Sequence, residues 1–294
     1  MAVSQQRRRL VCALPLAAAT TSAKPEPAMR SYPVITSDGV RLSVVESAPP
    51  ASVDGAPARE AVIVLVPGWC MPASIWQEQL VQLGARFRTL AIDPRGQGDS
   101  DVPAAGYEAD RRARDLQEVL APLSNVVLVG WSLGVLDSLQ FVHRFGSARL
   151  AGLVLVDNSV GEPPVPKPSN FIAQLRADRD ATMDRFVRSM FARPQPEAQI
   201  ERLKQAARRM RLEDAIALLS YPFPREHWRD IARSFAKPLC YCVTSRYLEQ
   251  ARNLQRERPA TRVEWFENAG HALFVDEPDR FNRVVTDFVP ALPS

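Results

Sequence analysis

The sequence predicts an α/β fold: a doubly wound, mostly parallel sheet with a helical cap insertion. Three observations carry that prediction. Continuous apolar runs, "AVIVLV", "FRTLAID", "NVVLVG" and "LAGLVLVD", recur between Ala61 and Asp157. Such runs are the mark of strands buried on both faces, as in parallel sheets. Helical stretches separate them, and strand, helix, strand within one sheet implies right-handed crossovers. The rhythm then breaks at Gly161 and returns at Lys237.

Each element follows from its residues. After an "SDG" turn, "VRLSVVES" alternates apolar and polar residues as a half-buried strand does. A Pro/Ala loop over 49–58 leads into the run at Val62–Val66. Ile75–Gly84, Asp110–Leu123 and Leu133–Phe145 read as the intervening helices. "GEPPVPKPS" is too rich in proline for regular structure. From Asn170 to Ser234 the chain is amphipathic, helical and rich in arginine. "KPLCYCV" and "TRVEWFE" restore the strands, and a final helix is expected over Pro278–Phe288. The expected division is a core over 31–160, an insertion over 161–236 and the rest of the core over 237–294. An insertion at the carboxyl edge of the strands sits over the crevice where open α/β sheets bind ligands. Its arginines read as a solvated helical face.

The bulk numbers exclude several classes. Of 294 residues 46% are hydrophobic and 24% charged, an ordinary globular composition. The net charge of +4 is largely local: Arg7, Arg8 and Arg9 supply three of the four positives. No nucleic-acid motif accompanies it, so no nucleic-acid partner is expected. Residues 1–23 have a basic start, a short apolar stretch and small residues before Lys24-Pro25. That is the layout of an export signal, and "QRRRLV" resembles a twin-arginine one, which would place the protein in the periplasm or outside the cell. Without such export it would be cytoplasmic. No later apolar run is long enough for stable membrane insertion. Cys240 and Cys242 stand two apart on a strand, on one face, where bridging is poor, so they read as buried free thiols. No C-x-x-C or zinc spacing is present, and no metal or cofactor is implied. The oligomeric state is not specified.

Chemistry concentrates in four stretches. "VVLVGWSLGV" holds Gly130-Trp131-Ser132-Leu133-Gly134, a G-x-S-x-G at a strand–helix join. That turn lifts the serine hydroxyl clear of the backbone and sets it near a helix N-terminus, which favours developing negative charge. Two backbone amides are needed to hold an oxyanion, one just after the nucleophile and one from the loop after the Val62–Val66 strand. Those are Leu133 and Trp69. Cys70, beside Trp69, is the alternative nucleophile, without elbow geometry to support it. "IDPRGQGDSD" lacks the lysine of a phosphate loop and reads as structural. A serine also needs a base. His143 lies near the far end of the helix that follows Ser132, and His227 lies in the insertion. His271, in "FENAGHALFVDEPDRF", is therefore the expected base.

"PGW", "DPRGQGDS", "GWSLG" and "NAGHALFVDEPDRF" fall in the order and spacing of the α/β-hydrolase superfamily. From about Ser31 onward the chain resembles the small cap-bearing serine esterases related to the cofactor-free haloperoxidases. Two departures stand out. Pro67 replaces the histidine that often precedes the oxyanion glycine. Tyr247 occupies the position, after the Lys237–Val243 strand, where relatives usually carry the acid that orients the base. Some superfamily members, haloalkane dehalogenases among them, carry that acid at the end of the strand after the nucleophile helix. Here that residue is Asp157. Asp157 could instead only cap the loop at Asn158-Ser159. Glu249 and Glu162 are the other carboxylates in reach, and a Ser–His dyad without an acid would be slow rather than dead.

The expectation is a hydrolase of carboxylic esters or lactones that forms an acyl-enzyme on Ser132, with His271 as base and Asp157 as acid. The substrate would be a small molecule in a largely apolar pocket. Trp131, Phe274 and Phe171 or Trp228 are its expected lining, with Tyr247 facing it uncharged. A thioesterase or acyltransferase could use the same site. A ligand-binding protein on a hydrolase scaffold is the non-enzymatic alternative.

Overall fold

The computed structural model describes residues 28–48, 61–220 and 222–289. The expected export signal over 1–23 and the Pro/Ala loop over 49–58 lie outside them.

Eight strands form one sheet: β1 (Ala28–Ile35), β2 (Arg41–Ala48), β3 (Val62–Val66), β4 (Arg88–Asp93), β5 (Val126–Trp131), β6 (Leu150–Val156), β7 (Leu239–Val243) and β8 (Thr261–Trp265). Their spatial order is β1-β2-β4-β3-β5-β6-β7-β8. β1 and β2 pair antiparallel, β2 meets β4 antiparallel, and every later pairing is parallel. The core helices are α1 (Gln77–Gly84), α2 (Ala109–Leu120) and α3 (Leu133–Phe145). Between β6 and β7 come the insertion's α4 (Phe171–Ala177), α5 (Arg179–Ser189), α6 (Glu197–Ala207), α7 (Leu212–Ala217) and α8 (Arg225–Ser234). The chain closes with α9 (Leu248–Glu257), α10 (Leu273–Asp276) and α11 (Pro278–Phe288).

The apolar runs are buried on both faces, and alternate residues feed two cores. Ile63, Leu65, Val127, Val129 and Trp131 face one layer, with Trp76, Phe274 and Phe281. Val62, Val64, Val66, Val126 and Leu128 face the other, with Leu116, Leu139 and Tyr241. Layers on both faces of a parallel sheet make the fold doubly wound.

β1 was not legible in the sequence. It is an edge strand, mostly exposed, and contains Pro33, so it shows neither an apolar run nor a clear alternation. The helix expected from Ile75 begins as a short 3-10 turn over Ala73–Trp76 before α1. α3 and α11 have the expected bounds. Among the described residues no helix is long and apolar enough to cross a membrane.

Candidate active site

β5, at the middle of the sheet, ends at Trp131, and α3 starts at Leu133. Ser132 is the single residue between them. It takes φ 53° and ψ −119°, a left-handed conformation that costs a non-glycine residue about 1–3 kcal/mol. The flanking glycines are required by close approach. A Cβ on Gly130 would stand 2.2 Å from the Gly134 carbonyl oxygen, and one on Gly134 would stand 2.5 Å from the Val66 carbonyl oxygen. The Ser132 amide donates to the Val156 carbonyl at 2.9 Å, which carries the ladder to β6 one residue past β5.

His271 follows β8 in the loop before α10. Its Nε2 lies 2.9 Å from Ser132 Oγ, and its Nδ1 lies 2.8 Å from Asp157 Oδ2. The three side chains form one hydrogen-bonded line. The Asp157 side chain is 1% exposed and that of His271 is 22% exposed. The inner end of the line is thus dry while the outer end remains open to a ligand.

Asp157 is held from a second direction. Its Oδ1 accepts from the Thr244 amide at 2.7 Å and from Thr244 Oγ1 at 2.8 Å. Thr244 directly follows β7. The Asp157 amide donates to the Cys242 carbonyl at 2.9 Å. Like Ser132, Asp157 has a positive φ, 47°; among the described residues only Cys70, Asn125, Ser132 and Asp157 do so without being glycine. Aspartate tolerates this conformation, and such outliers concentrate at functional sites. In the loop that follows, the Ser159 amide donates to Asn158 Oδ1 at 2.8 Å.

The competing acids are elsewhere. Glu162 is fully buried and holds Arg233 through two bonds, to Nε at 2.6 Å and Nη2 at 2.8 Å. Glu249 is exposed in the first turn of α9. Tyr247 is buried, and burial pushes its phenol up against the opposing charge of Arg246, with a smaller upward push from Asp157. Burial also pushes the Cys70 thiol up, which opposes a thiolate nucleophile there.

The remaining expected residues divide. The Trp69 and Leu133 amides donate no hydrogen bond among the described residues. A Cβ on Gly68, next to Trp69, would stand 2.9 Å from Ser132 Cβ, which places that loop against the serine. The Trp69 ring meets Phe171 and Phe186 edge-on, each at 5.3 Å, and its Nε1 donates to the Ala215 carbonyl of α7 at 2.6 Å. Four of the residues expected to line the pocket are buried. Phe274 is fully buried and stacks on Trp76 at 3.8 Å, so it offers no surface to a ligand. Trp228 and Tyr247 pack into the core cluster on the opposite face of the sheet. Trp131, 1% exposed, lies beneath the site: its Nε1 donates to the His271 carbonyl at 2.8 Å.

Sequence reasoning missed Thr244, Phe186 and Asn158. Asn158 Nδ2 donates to the Ser132 carbonyl at 2.8 Å, and Tyr241 donates to the Asn158 carbonyl. A hydroxyl residue at the end of the strand that lacks its usual acid was the available signal for Thr244. Two clefts at the edge of the insertion, of about 690 and 540 Å³, are lined by residues around Tyr107 and Gln79 and do not reach Ser132. Among the described residues no group of three or more His, Cys, Asp or Glu side chains is placed to hold a metal ion.

Comparison with known proteins gives the same picture of the fold. A family described as "Alpha/beta hydrolase family" matches residues 63–284. A pimeloyl-[acyl-carrier protein] methyl ester esterase of Vibrio atlanticus is 26% identical over 249 residues, 77% of this chain and 93% of that protein. A non-heme chloroperoxidase of Kitasatospora aureofaciens is 36% identical over 106 residues, but the match spans only 35% of this chain and 38% of that relative. The solved structure of an esterase from Exiguobacterium antarcticum superposes with a TM-score of 0.72 at 21% identity, covering 88% of this chain and 99% of that one.

Proposed function

The chain belongs to the alpha/beta hydrolase family, and on that premise we propose that it hydrolyses carboxylic esters or lactones through an acyl-enzyme on Ser132. The observation that carries this reading is the line Ser132 Oγ, His271 Nε2, His271 Nδ1, Asp157 Oδ2. It is the arrangement nucleophilic acyl transfer requires: a nucleophile bonded to a base, and a base held by a buried carboxylate.

Ser132 Oγ attacks the acyl carbon while His271 Nε2 takes its proton. The Trp69 and Leu133 amides, which have no hydrogen-bond partner among the described residues, receive the oxyanion. Collapse of the intermediate breaks the ester C–O bond, and His271 returns the proton to the leaving alkoxide. Water, deprotonated by His271, then attacks the acyl-enzyme, and the acid leaves with Ser132 restored. Asp157 holds the proton-bearing Nδ1 and stabilises the imidazolium formed twice in the cycle. In a lactone the leaving alkoxide stays tethered to the acyl group, and the bonds made and broken are otherwise the same. Trp69, Phe171 and Phe186 form the aromatic wall proposed for the acyl group. The ester-cleaving relative from Vibrio supports the substrate class.

The test is a fluorophosphonate probe together with a panel of 4-nitrophenyl esters and lactones. Wild type is expected to label at Ser132 and to turn over part of the panel, and Ser132→Ala to do neither. Unchanged turnover in Ser132→Ala would sink the reading.

A further inference from the structure

The loop that carries His271 is fastened to the insertion rather than only to the core. Asp276, at the end of α10, is buried, and its carboxylate accepts three backbone amides. Oδ2 accepts from Gly270 at 2.7 Å and from Ala192 at 2.8 Å, and Oδ1 accepts from Arg193 at 3.2 Å. Gly270 immediately precedes His271. Ala192 and Arg193 belong to the segment that leaves α5. On the other side of His271, the Ala272 amide donates to the Met190 carbonyl at 2.8 Å. The two backbones approach so closely that a Cβ on Gly270 would stand 2.6 Å from the Met190 carbonyl oxygen and 2.7 Å from the Ala192 nitrogen. Both neighbours of His271 are therefore tied to one stretch of the insertion, and Asp276 makes three of the four ties.

The same helix carries Phe186, whose ring meets Trp69 and Phe171 at 5.3 Å each. The last turn of α5 thus carries one ring of the aromatic wall, and the segment directly after it forms the clamp on the histidine loop. A buried carboxylate bonded only to backbone amides fixes main-chain position and contributes no reacting atom. We propose that Asp276 is a positioning residue, which sets His271 relative to Ser132 by locking its loop to the α5 end of the insertion. A shift of about 1 Å in such a group costs on the order of a hundredfold in rate. The asparagine variant keeps the shape but turns an amide NH₂ toward at least one backbone N–H donor, so the clamp loosens without a cavity.

This inference rests on the ester-hydrolase reading, and the experiment separates the two. Wild type, Asp276→Asn and Gly270→Ala are titrated for reactive Ser132 by burst labelling with a fluorophosphonate. kcat and KM for a 4-nitrophenyl ester are then referred to labelled sites. Gly270→Ala leaves the carboxylate intact and pries the seam apart, so it serves if Asp276→Asn does not fold. The expected result is a fall of about tenfold or more in kcat per labelled site in either variant, with KM changed far less. Fewer labelled sites with kcat per site unchanged would show a purely structural role and overturn the proposal alone. A wild type inert to both probe and esters would overturn the hydrolase reading and this inference with it.

Discussion

Thr244 gives both its hydrogen-bond donors to a single oxygen, Oδ1 of Asp157, at 2.7 and 2.8 Å. The other oxygen, Oδ2, faces His271 Nδ1 at 2.8 Å. The residue that follows β7 thus holds one oxygen of a carboxylate supplied by the end of the neighbouring strand, and leaves the other to the histidine. β6 and β7 are adjacent and parallel, with Val156 opposite Cys242, so the residues that follow them meet.

Removing the carboxylate charge from Asp157 is the first prediction. Asp157→Asn should lower kcat on an activated ester by about 10⁴-fold, the loss seen when a histidine of this kind is left in the wrong tautomer. Glu249→Gln, at an exposed position on α9, should leave kcat within about twofold of wild type, as surface changes away from a site do. Equal losses in the two variants, in steady-state assays on the same ester, would contradict the assignment of the acid.

Thr244→Val tests the second contact of that carboxylate. The amide remains and the hydroxyl is lost, so a buried oxygen keeps one of its two Thr244 donors. Hydrogen bonds to charged groups contribute about 1.5–3 kcal/mol. Urea denaturation should show a loss of about 1.5–2 kcal/mol, the lower part of that range because one donor stays in place. Thr244→Ser should recover most of it. A valine variant as stable as wild type would remove Thr244 from the account.

The aromatic wall makes a prediction about specificity. Phe186→Ala removes one of three mutually packed rings, Trp69, Phe171 and Phe186. Lost apolar contact with a small acyl group is worth about 1–3 kcal/mol, or roughly 10- to 200-fold in kcat/KM. The loss should fall on short and aryl esters and shrink for longer chains that refill the space. A series of 4-nitrophenyl esters of increasing chain length checks this; a uniform loss across the series would place Phe186 outside the pocket.

How much of this could be read beforehand differs from element to element. β3 to β6 were legible because strands buried on both faces need unbroken apolar runs. Ser132 was legible because the elbow forces glycine at 130 and 134 through backbone contacts that no side chain can share. Asp157 was reached through a resemblance, not a pattern, since one aspartate after a strand has many uses. Thr244 offered only a hydroxyl at a strand end, and Asp276 was silent: its carboxylate acts on backbone amides that only the folded chain brings together. Trp228 and Tyr247 were misplaced for a related reason. Aromatic residues near the site in sequence carry no sign of which face of the sheet they pack against, and both went to the far one.

The last prediction concerns stability in acid. His227, in α8, lies against His143 at 4.7 Å and stacks on Phe223 at 4.3 Å, with its Nε2 2.8 Å from Gln140 Oε1. Burial first, and then the charge of His143, lower its pKa from 6.5, while Asp110 and Asp230 oppose the shift more weakly. A histidine whose folded pKa is depressed binds fewer protons folded than unfolded in the window just below 6.5. Its contribution is therefore fully present above the unfolded value. It declines as pH falls through that value and levels off below the folded one. His227→Gln cannot charge, so its melting temperature should fall less steeply than that of wild type as pH drops from about 7 to about 5. The two curves should run parallel above about pH 7, where wild-type His227 is neutral in both states. Thermal melts at stepped pH decide the matter: if the acid-side slopes of the two proteins are the same, His227 is not the group that makes the fold acid-sensitive.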